Sequence, residues 1–270
     1  MIKMIAVDMD GTFLSSEKTY NKARFLAQYE QLKKENIRFV VASGNQYYRL
    51  TSFFPEICDE ITFVAENGAW VVDQGKTLFC GEFSAEHRQK ILDVLAEFPH
   101  IHAAVCGPRS AWMLDSAPEP LVKLMSNHYQ RLALIPSFDH FNETVFKVSL
   151  NLPDEQIPEL LTYFGHALDG IVTPVSSGFG FIDLIIPGVH KAHGLSLLQQ
   201  QWQISSDEVV AMGDGGNDME MLSQSGYSFA MANAQPALKQ VAAYQTESNN
   251  EEGALNVIER VLTRQAPFNR

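Results

Sequence analysis

Apolar and polar positions along the chain follow two alternating rhythms. Continuous apolar runs occur at Met4-Ile5-Ala6-Val7, Phe39-Val40-Val41-Ala42, 61–65, Val209-Val210-Ala211-Met212 and 228–231. Between them, helix-like stretches are expected at 21–35, 46–54, 191–203, 218–225 and 253–263. The unbroken runs read as strands buried on both faces, and the periodic stretches as helices packed along one side. Their alternation predicts a parallel, doubly wound sheet. Trp70-Val71-Val72 and Thr77-Leu78-Phe79 flank Asp73-Gln74-Gly75-Lys76, which predicts a hairpin.

The middle of the chain has its own elements. Helices are expected at 86–98, 119–129 and 155–167, and strands at 102–106, 145–150, 171–175 and 181–186. None of the candidate phosphate or metal groups falls there. The expected architecture is therefore an α/β core, doubly wound and parallel, formed by 1–82 and 188–270, with an inserted α+β cap over 83–187.

Candidate chemistry sits where the core strands end. Asp8-Met9-Asp10-Gly11-Thr12 follows the first strand, and open α/β sheets bind ligands at the carboxyl ends of their strands. Strand alternation would point Asp8 and Asp10 to one side and Met9 away. One carboxylate can attack phosphorus while the other handles the proton of the leaving oxygen. Gly11 permits a sharp bend, and the Thr12 hydroxyl is expected to hold Asp10. The second strand ends in Ser43-Gly44-Asn45, whose hydroxyl and backbone N–H groups can donate to phosphate oxygens. Lys191, at the start of a helix, can balance phosphoryl charge. Gly213-Asp214-Gly215-Gly216-Asn217-Asp218 is an acidic, glycine-rich turn suited to magnesium. Asp-Gly, Ser-Gly and acidic Gly turns are each common loops on their own. Their occurrence in this order, three of them at strand ends, points to phosphoryl transfer.

These four motifs, with Glu66-Asn67-Gly68-Ala69, resemble the haloacid dehalogenase (HAD) superfamily, in particular its Cof-type phosphatases with a large inserted cap. The resemblance spans essentially the whole chain and narrows to bacterial sugar-phosphate phosphatases. It implies a Rossmann-like core, a Mg2+ cofactor and an aspartyl-phosphate intermediate on Asp8, with Asp10 as general acid and base. It implies metal coordination by Asp8, by Asp10 through its backbone carbonyl, and by Asp214. Phosphate contacts are implied for Met9, Ser43, Gly44, Lys191 and Asn217, with Thr12 and Asp218 in support and Asp218 orienting the Asp214 loop. Ser43-Gly44-Asn45-Gln46 departs from the Thr-Gly-Arg of many relatives, which leaves Arg49, one helical turn on, as a candidate arginine clamp.

Composition changes this picture little. The 270-residue chain is 46% hydrophobic and 19% charged, as ordinary globular proteins are, and its formal net charge of -12 without a basic stripe argues against nucleic-acid binding. Local cations must then reverse the field for an anionic ester. Cys58, Cys80 and Cys106 are too scattered for a disulfide framework or a zinc site. No apolar run nears the ~18–20 residues of a membrane span, so no membrane partner and a cytoplasmic location are expected. His190 and His193 lack a third nearby ligand, and Phe53, Phe54 and Trp202 read as packing groups. Lys147 alternates with Phe146 and Val148, which places it on a solvated sheet face unless it reaches the substrate. The segment Ser176-Ser177-Gly178-Phe179-Gly180 is either a substrate lip or a plain hairpin turn. Reaction classes left open are a sugar phosphatase, a sugar phosphomutase and a non-enzymatic sugar-phosphate sensor.

Overall fold

The computed structural model describes residues 1–139, 141–178 and 180–269. In chain order the first elements are β1 (Met4–Val7), α1 (Lys22–Lys34), β2 (Arg38–Ala42), α2 (Tyr47–Phe53), β3 (Thr62–Ala65), β4 (Trp70–Asp73) and β5 (Lys76–Cys80). Then come α3 (Ala85–Ala96), β6 (Ala103–Cys106), β7 (Ala111–Leu114), α4 (Glu119–His128), β8 (Leu132–Ile135), β9 (Lys147–Asn151), α5 (Ile157–Ala167), β10 (Thr173–Gly178) and β11 (Phe181–Ile185). The chain closes with α6 (Lys191–Trp202), β12 (Val209–Gly213), α7 (Met219–Gln224), β13 (Tyr227–Ala230), α8 (Pro236–Val241), β14 (Tyr244–Gln245) and α9 (Gly253–Leu262).

Among the described residues these strands make two sheets. The larger has the order β14-β13-β12-β1-β2-β3-β4-β5, parallel from β14 to β3, with the β4–β5 hairpin antiparallel at its edge. β1 lies in the middle because its residues pack on both faces. Ile5 and Val7 join Phe25, Phe39 and Ile258 on one side, whereas Met4 and Ala6 join Leu195, Leu198 and Met221 on the other. That double burial explains the unbroken apolar run. The smaller sheet, β10-β11-β9-β6-β7-β8, is antiparallel except for the β7–β8 pair. On one face Val148, Leu150, Ile182 and Leu184 pack with Ile91, Leu160 and Phe164 from helices α3 and α5. This smaller layer is the inserted cap.

Three sequence expectations change. β1 ends at Val7, so Asp8-Met9-Asp10 lies beyond the strand, although Asp8 and Asp10 still line one cavity and Met9 points away from it, fully buried, as expected. Strands β7, β8 and β14 and helix α8 were not anticipated; each is six residues or shorter, too brief for a clear period. Lys147 is not solvated, since its side chain is 1% exposed. Its strand face is covered by the core, a layer that alternation within one strand cannot reveal. Phe179, part of the candidate lip, lies outside the described residues. Phe54 is fully buried in the core, and Trp202 packs under the Arg38 guanidinium, as expected of packing groups.

Candidate active site

The floor of the site is set by strand pairing. Asp8 N–H donates to Met212 O at 3.0 Å, which brings the end of β1 beside the 213–218 turn after β12. Gly11 has φ +76°, and a Cβ there would stand 2.3 Å from Asp214 Oδ2, so only glycine allows the two loops to meet. Lys191 enters from the first turn of α6 and is wholly buried. Its Nζ donates to Asp8 Oδ1 and to Asp218 Oδ1, each at 2.7 Å. Asp218 uses its other oxygen to accept from the backbone N–H groups of Asp214 and Gly215, both at 3.0 Å. The Thr12 hydroxyl donates to Asp214 Oδ1 at 2.8 Å. It therefore holds Asp214 rather than Asp10, because the bend at Gly11 aims it across the interface between the two loops.

Carboxylate oxygens of Asp8, Asp214 and Asp218 lie within 4.8 Å of one another. One ammonium faces three carboxylates. Burial, with Asp218 and Asp214 adding to it, pushes the Asp8 carboxyl well above its usual range despite Lys191. Burial and Asp218 likewise raise Asp214 to about 7. Such a cluster is short of positive charge, and its hard oxygen donors can hold a divalent cation. The Asp10 side chain is outside this cluster.

Asp10 is turned toward two residues that sequence reasoning did not pair with it. Lys18 Nζ donates to Asp10 Oδ1 at 2.6 Å, and Asn45 Nδ2 donates to Oδ2 at 2.5 Å. Burial works against the charge on Asp10, but these donors outweigh it and hold the carboxyl below its ordinary value. Asn45, which stands where many relatives have arginine, thus gives its uncharged amide to Asp10. Arg49 lies with its guanidinium 5.4 Å over the Phe53 ring, its Nε buried without a hydrogen-bond partner, and acts on Asp10 only through space.

Above the floor is a cavity of about 740 Å³, counting its mouth to solvent. Asp8, Asp10, Ser43, Gly44, Asp214 and Asn217 line its core side. Lys191, Thr12, Met9 and Asp218 are buried beneath it. The cap side is lined by His128, Phe181 and Asp183, which were missed from sequence, and by Lys147, for which reach toward the substrate was the alternative to a solvated face. Burial lowers the His128 imidazole pKa, and its ring packs 4.8 Å from Phe181. Lys147 Nζ is 2.6 Å from Gly44 O, 2.7 Å from Glu66 Oε2 and 3.7 Å from Asp183 Oδ2. Asn67 links the halves, donating to Asp183 at 2.7 Å and accepting from Asn217 at 2.9 Å. Glu66 and Asn67 hold left-handed backbone conformations, with φ of +54° and +57°. The available signal for this group was a lone charge inside each of the apolar strands β9 and β11.

The family model described as haloacid dehalogenase-like hydrolase matches residues 5–258. The chain belongs to this family. It is a hydrolase of the phosphatase type, with the buried aspartate cluster that such chemistry requires. It is 52% identical over 269 residues to the 5-amino-6-(5-phospho-D-ribitylamino)uracil phosphatase YbjI of Escherichia coli K12, covering 100% of this chain and 99% of that one. A second phosphatase of the same description, YitU of Bacillus subtilis, is 22% identical over 265 residues, covering 96% and 97% of the two chains. Among solved structures, SMU.1108c from Streptococcus mutans superposes with a TM-score of 0.93 at 37% identity, covering 97% of this chain and 100% of that one. No helix among the described residues is long and apolar enough to cross a membrane.

Proposed function

We propose that the chain is a magnesium-dependent phosphatase of small phosphomonoesters, of the sugar-phosphate class, acting through an aspartyl phosphate on Asp8. The observation that carries this reading is the cluster at the strand ends, in which Lys191 grips Asp8 and Asp218 at 2.7 Å while Asp8 still lines the cavity. An Asp8 carboxylate oxygen attacks phosphorus, and the bond from phosphorus to the ester oxygen breaks. The departing oxygen takes its proton from Asp10. Asp10 then removes a proton from water, which attacks the acyl phosphate and frees inorganic phosphate and the Asp8 carboxylate. Lys18 and Asn45 keep Asp10 ionised before substrate arrives. The negative charge of an incoming phosphate raises its proton affinity, so that Asp10 takes up a proton from solvent and then passes it to the departing oxygen. Ser43, Gly44, Asn217 and the Met9 position hold the phosphoryl oxygens, and Lys191 offsets their charge.

Magnesium would be held by Asp8, Asp214 and the Asp10 carbonyl, and would screen the repulsion between the Asp8 carboxylate and the phosphate. The 83–187 insertion is the selecting cap over the 1–82 and 188–270 core. Its polar wall suits a hydroxylated leaving group, and YbjI's described substrate is itself a phosphorylated polyol bearing a pyrimidine. A panel of sugar phosphates, ribitylaminouracil phosphate, a small aryl phosphate and a phosphopeptide, assayed with and without magnesium, tests the reading. Magnesium-dependent release of phosphate from the polyol and sugar esters is expected. A preference for the peptide, or isomer formation without phosphate release, would overturn it.

A further inference from the structure

The three carbonyls of the Ser43-Gly44-Asn45 loop are all tied back from the cavity. Ser43 O accepts from Asn67 N–H at 3.0 Å, and Asn45 O accepts from Glu66 N–H at 3.2 Å. Gly44 O is the exception in kind, because its partner comes from the cap: the Lys147 ammonium at 2.6 Å. The other end of that same peptide unit, Asn45 N–H, donates to Ser43 Oγ at 3.1 Å. A hydroxyl oxygen that already accepts a hydrogen bond keeps its own proton free to donate. A peptide next to glycine turns over readily, and reversal would aim the Gly44 carbonyl dipole, negative end first, into the cavity.

We propose that Lys147 is a positioning residue for the phosphate-binding loop: it fixes the Gly44–Asn45 peptide so that the Ser43 hydroxyl points its proton at the phosphoryl group. This rests on the reading of the cavity as a phosphatase site. Lys147 acts through Gly44 and Ser43 and not on the leaving group, so the cap completes the phosphate site as well as choosing the substrate. Asp183 and Glu66 are the counter-charges that let the ammonium stay buried, and Glu66 is the nearer. It is 1% exposed, and its Oε2 lies 2.7 Å from Nζ without hydrogen-bond alignment. The aligned bond goes to the Gly44 carbonyl, which is the contact that matters for the loop.

Removing Lys147 alone would strand the Glu66 and Asp183 charges, so the informative chain is Lys147→Met combined with Glu66→Gln, which leaves the net charge of the cluster as it is in the wild type. Its kcat/KM is expected to fall by ~10²-fold, equally for a hexose phosphate and a small aryl phosphate, and its affinity for inorganic phosphate measured calorimetrically should drop about tenfold. Added to Ser43→Ala, the pair should cost little more than the larger loss alone. Three results would overturn the proposal: wild-type kinetics in the matched chain, a loss confined to the sugar ester, or full additivity with Ser43→Ala. If the matched chain does not fold, Lys147→Arg with thermal unfolding and phosphate calorimetry decides between the two roles. Retained phosphate affinity there supports a donor at Gly44 O, and its loss in a folded chain contradicts it. A wild-type protein that hydrolyses no ester would refute the phosphatase reading instead, and the phosphate calorimetry would still report on the loop.

Discussion

Two buried lysines organise this protein, and they do different work. Lys191 stands on the core floor between Asp8 and Asp218, and Lys147 hangs from the cap between Glu66 and Asp183. Burial works against both ammonium charges, yet the neighbouring carboxylates outweigh it and keep each pKa above the ordinary lysine value. The surroundings then diverge. Around Lys191 a third carboxylate, Asp214, completes a cluster within 4.8 Å and leaves an excess of negative charge. Around Lys147 the remaining partners are neutral: the Gly44 carbonyl on the ammonium, and the Asn67 amide on Asp183. The first arrangement waits for a cation and an anion. The second sets one ammonium between two carboxylates with no third beside them among the described residues, and it serves as a structural joint between the two layers.

The strongest way to break this comparison is to remove each lysine in turn. Lys191→Met and Lys147→Met should each lose about 3–5 kcal/mol of stability, the usual cost of stranding a buried charge. Magnesium should raise the melting temperature of Lys191→Met more than that of Lys147→Met or the wild type, because only there does the lost ammonium leave the three-carboxylate cluster with extra negative charge. Thermal melts with and without the ion measure this. An equal rise in both chains, or in neither, would show that the two centres are not distinct in kind.

A smaller effect is expected at the proton-transfer residue. Asp10→Asn should lower turnover by ~10²–10⁴-fold while leaving magnesium affinity close to wild type, since its carboxylate is outside the cluster. A comparable loss of magnesium binding, read by calorimetry, would place that side chain among the ligands after all.

The pH dependence sharpens the same point more gently. Asp214 is raised from 3.8 to about 7 in the folded chain. Between those values the folded state keeps a proton that the unfolded state has released, so this group's contribution to stability falls as pH rises through the interval. Magnesium binds the ionised form, and its affinity should weaken as pH drops below about 7. Melting curves of wild type and Asp214→Asn across this interval isolate the component. An identical pH slope in the two chains would contradict it.

Much of the core was legible in the sequence because parallel topology does the assembling. Strands buried on both faces announce themselves as apolar runs, and their C-terminal ends must gather at one edge, so Asp8, Ser43 and the Asp214 turn meet wherever the sheet forms. Side-chain partners were less legible. Thr12 was paired with its neighbour Asp10, but its hydroxyl bonds Asp214, 202 positions away. Lys18, in a polar loop, carried no signal of its own, yet it holds Asp10 at 2.6 Å. Lys147 and Asp183 were hardest to read. A charge alternating with apolar residues is the pattern of a solvated strand face, and nothing local says that a second layer will cover it. Brief elements such as β7 and β8, four residues each, gave no period to detect.

The central claim is that Asp8 becomes covalently phosphorylated. The direct measurement is rapid acid quench of the protein during turnover of a labelled phosphate ester with magnesium, followed by peptide mapping. The account predicts an acid-stable, hydroxylamine-labile phosphoryl group on the peptide carrying Asp8, absent from the Asp8→Asn chain, whose turnover should be below detection. Near-normal turnover by Asp8→Asn, with no label at that peptide in wild type, would contradict it.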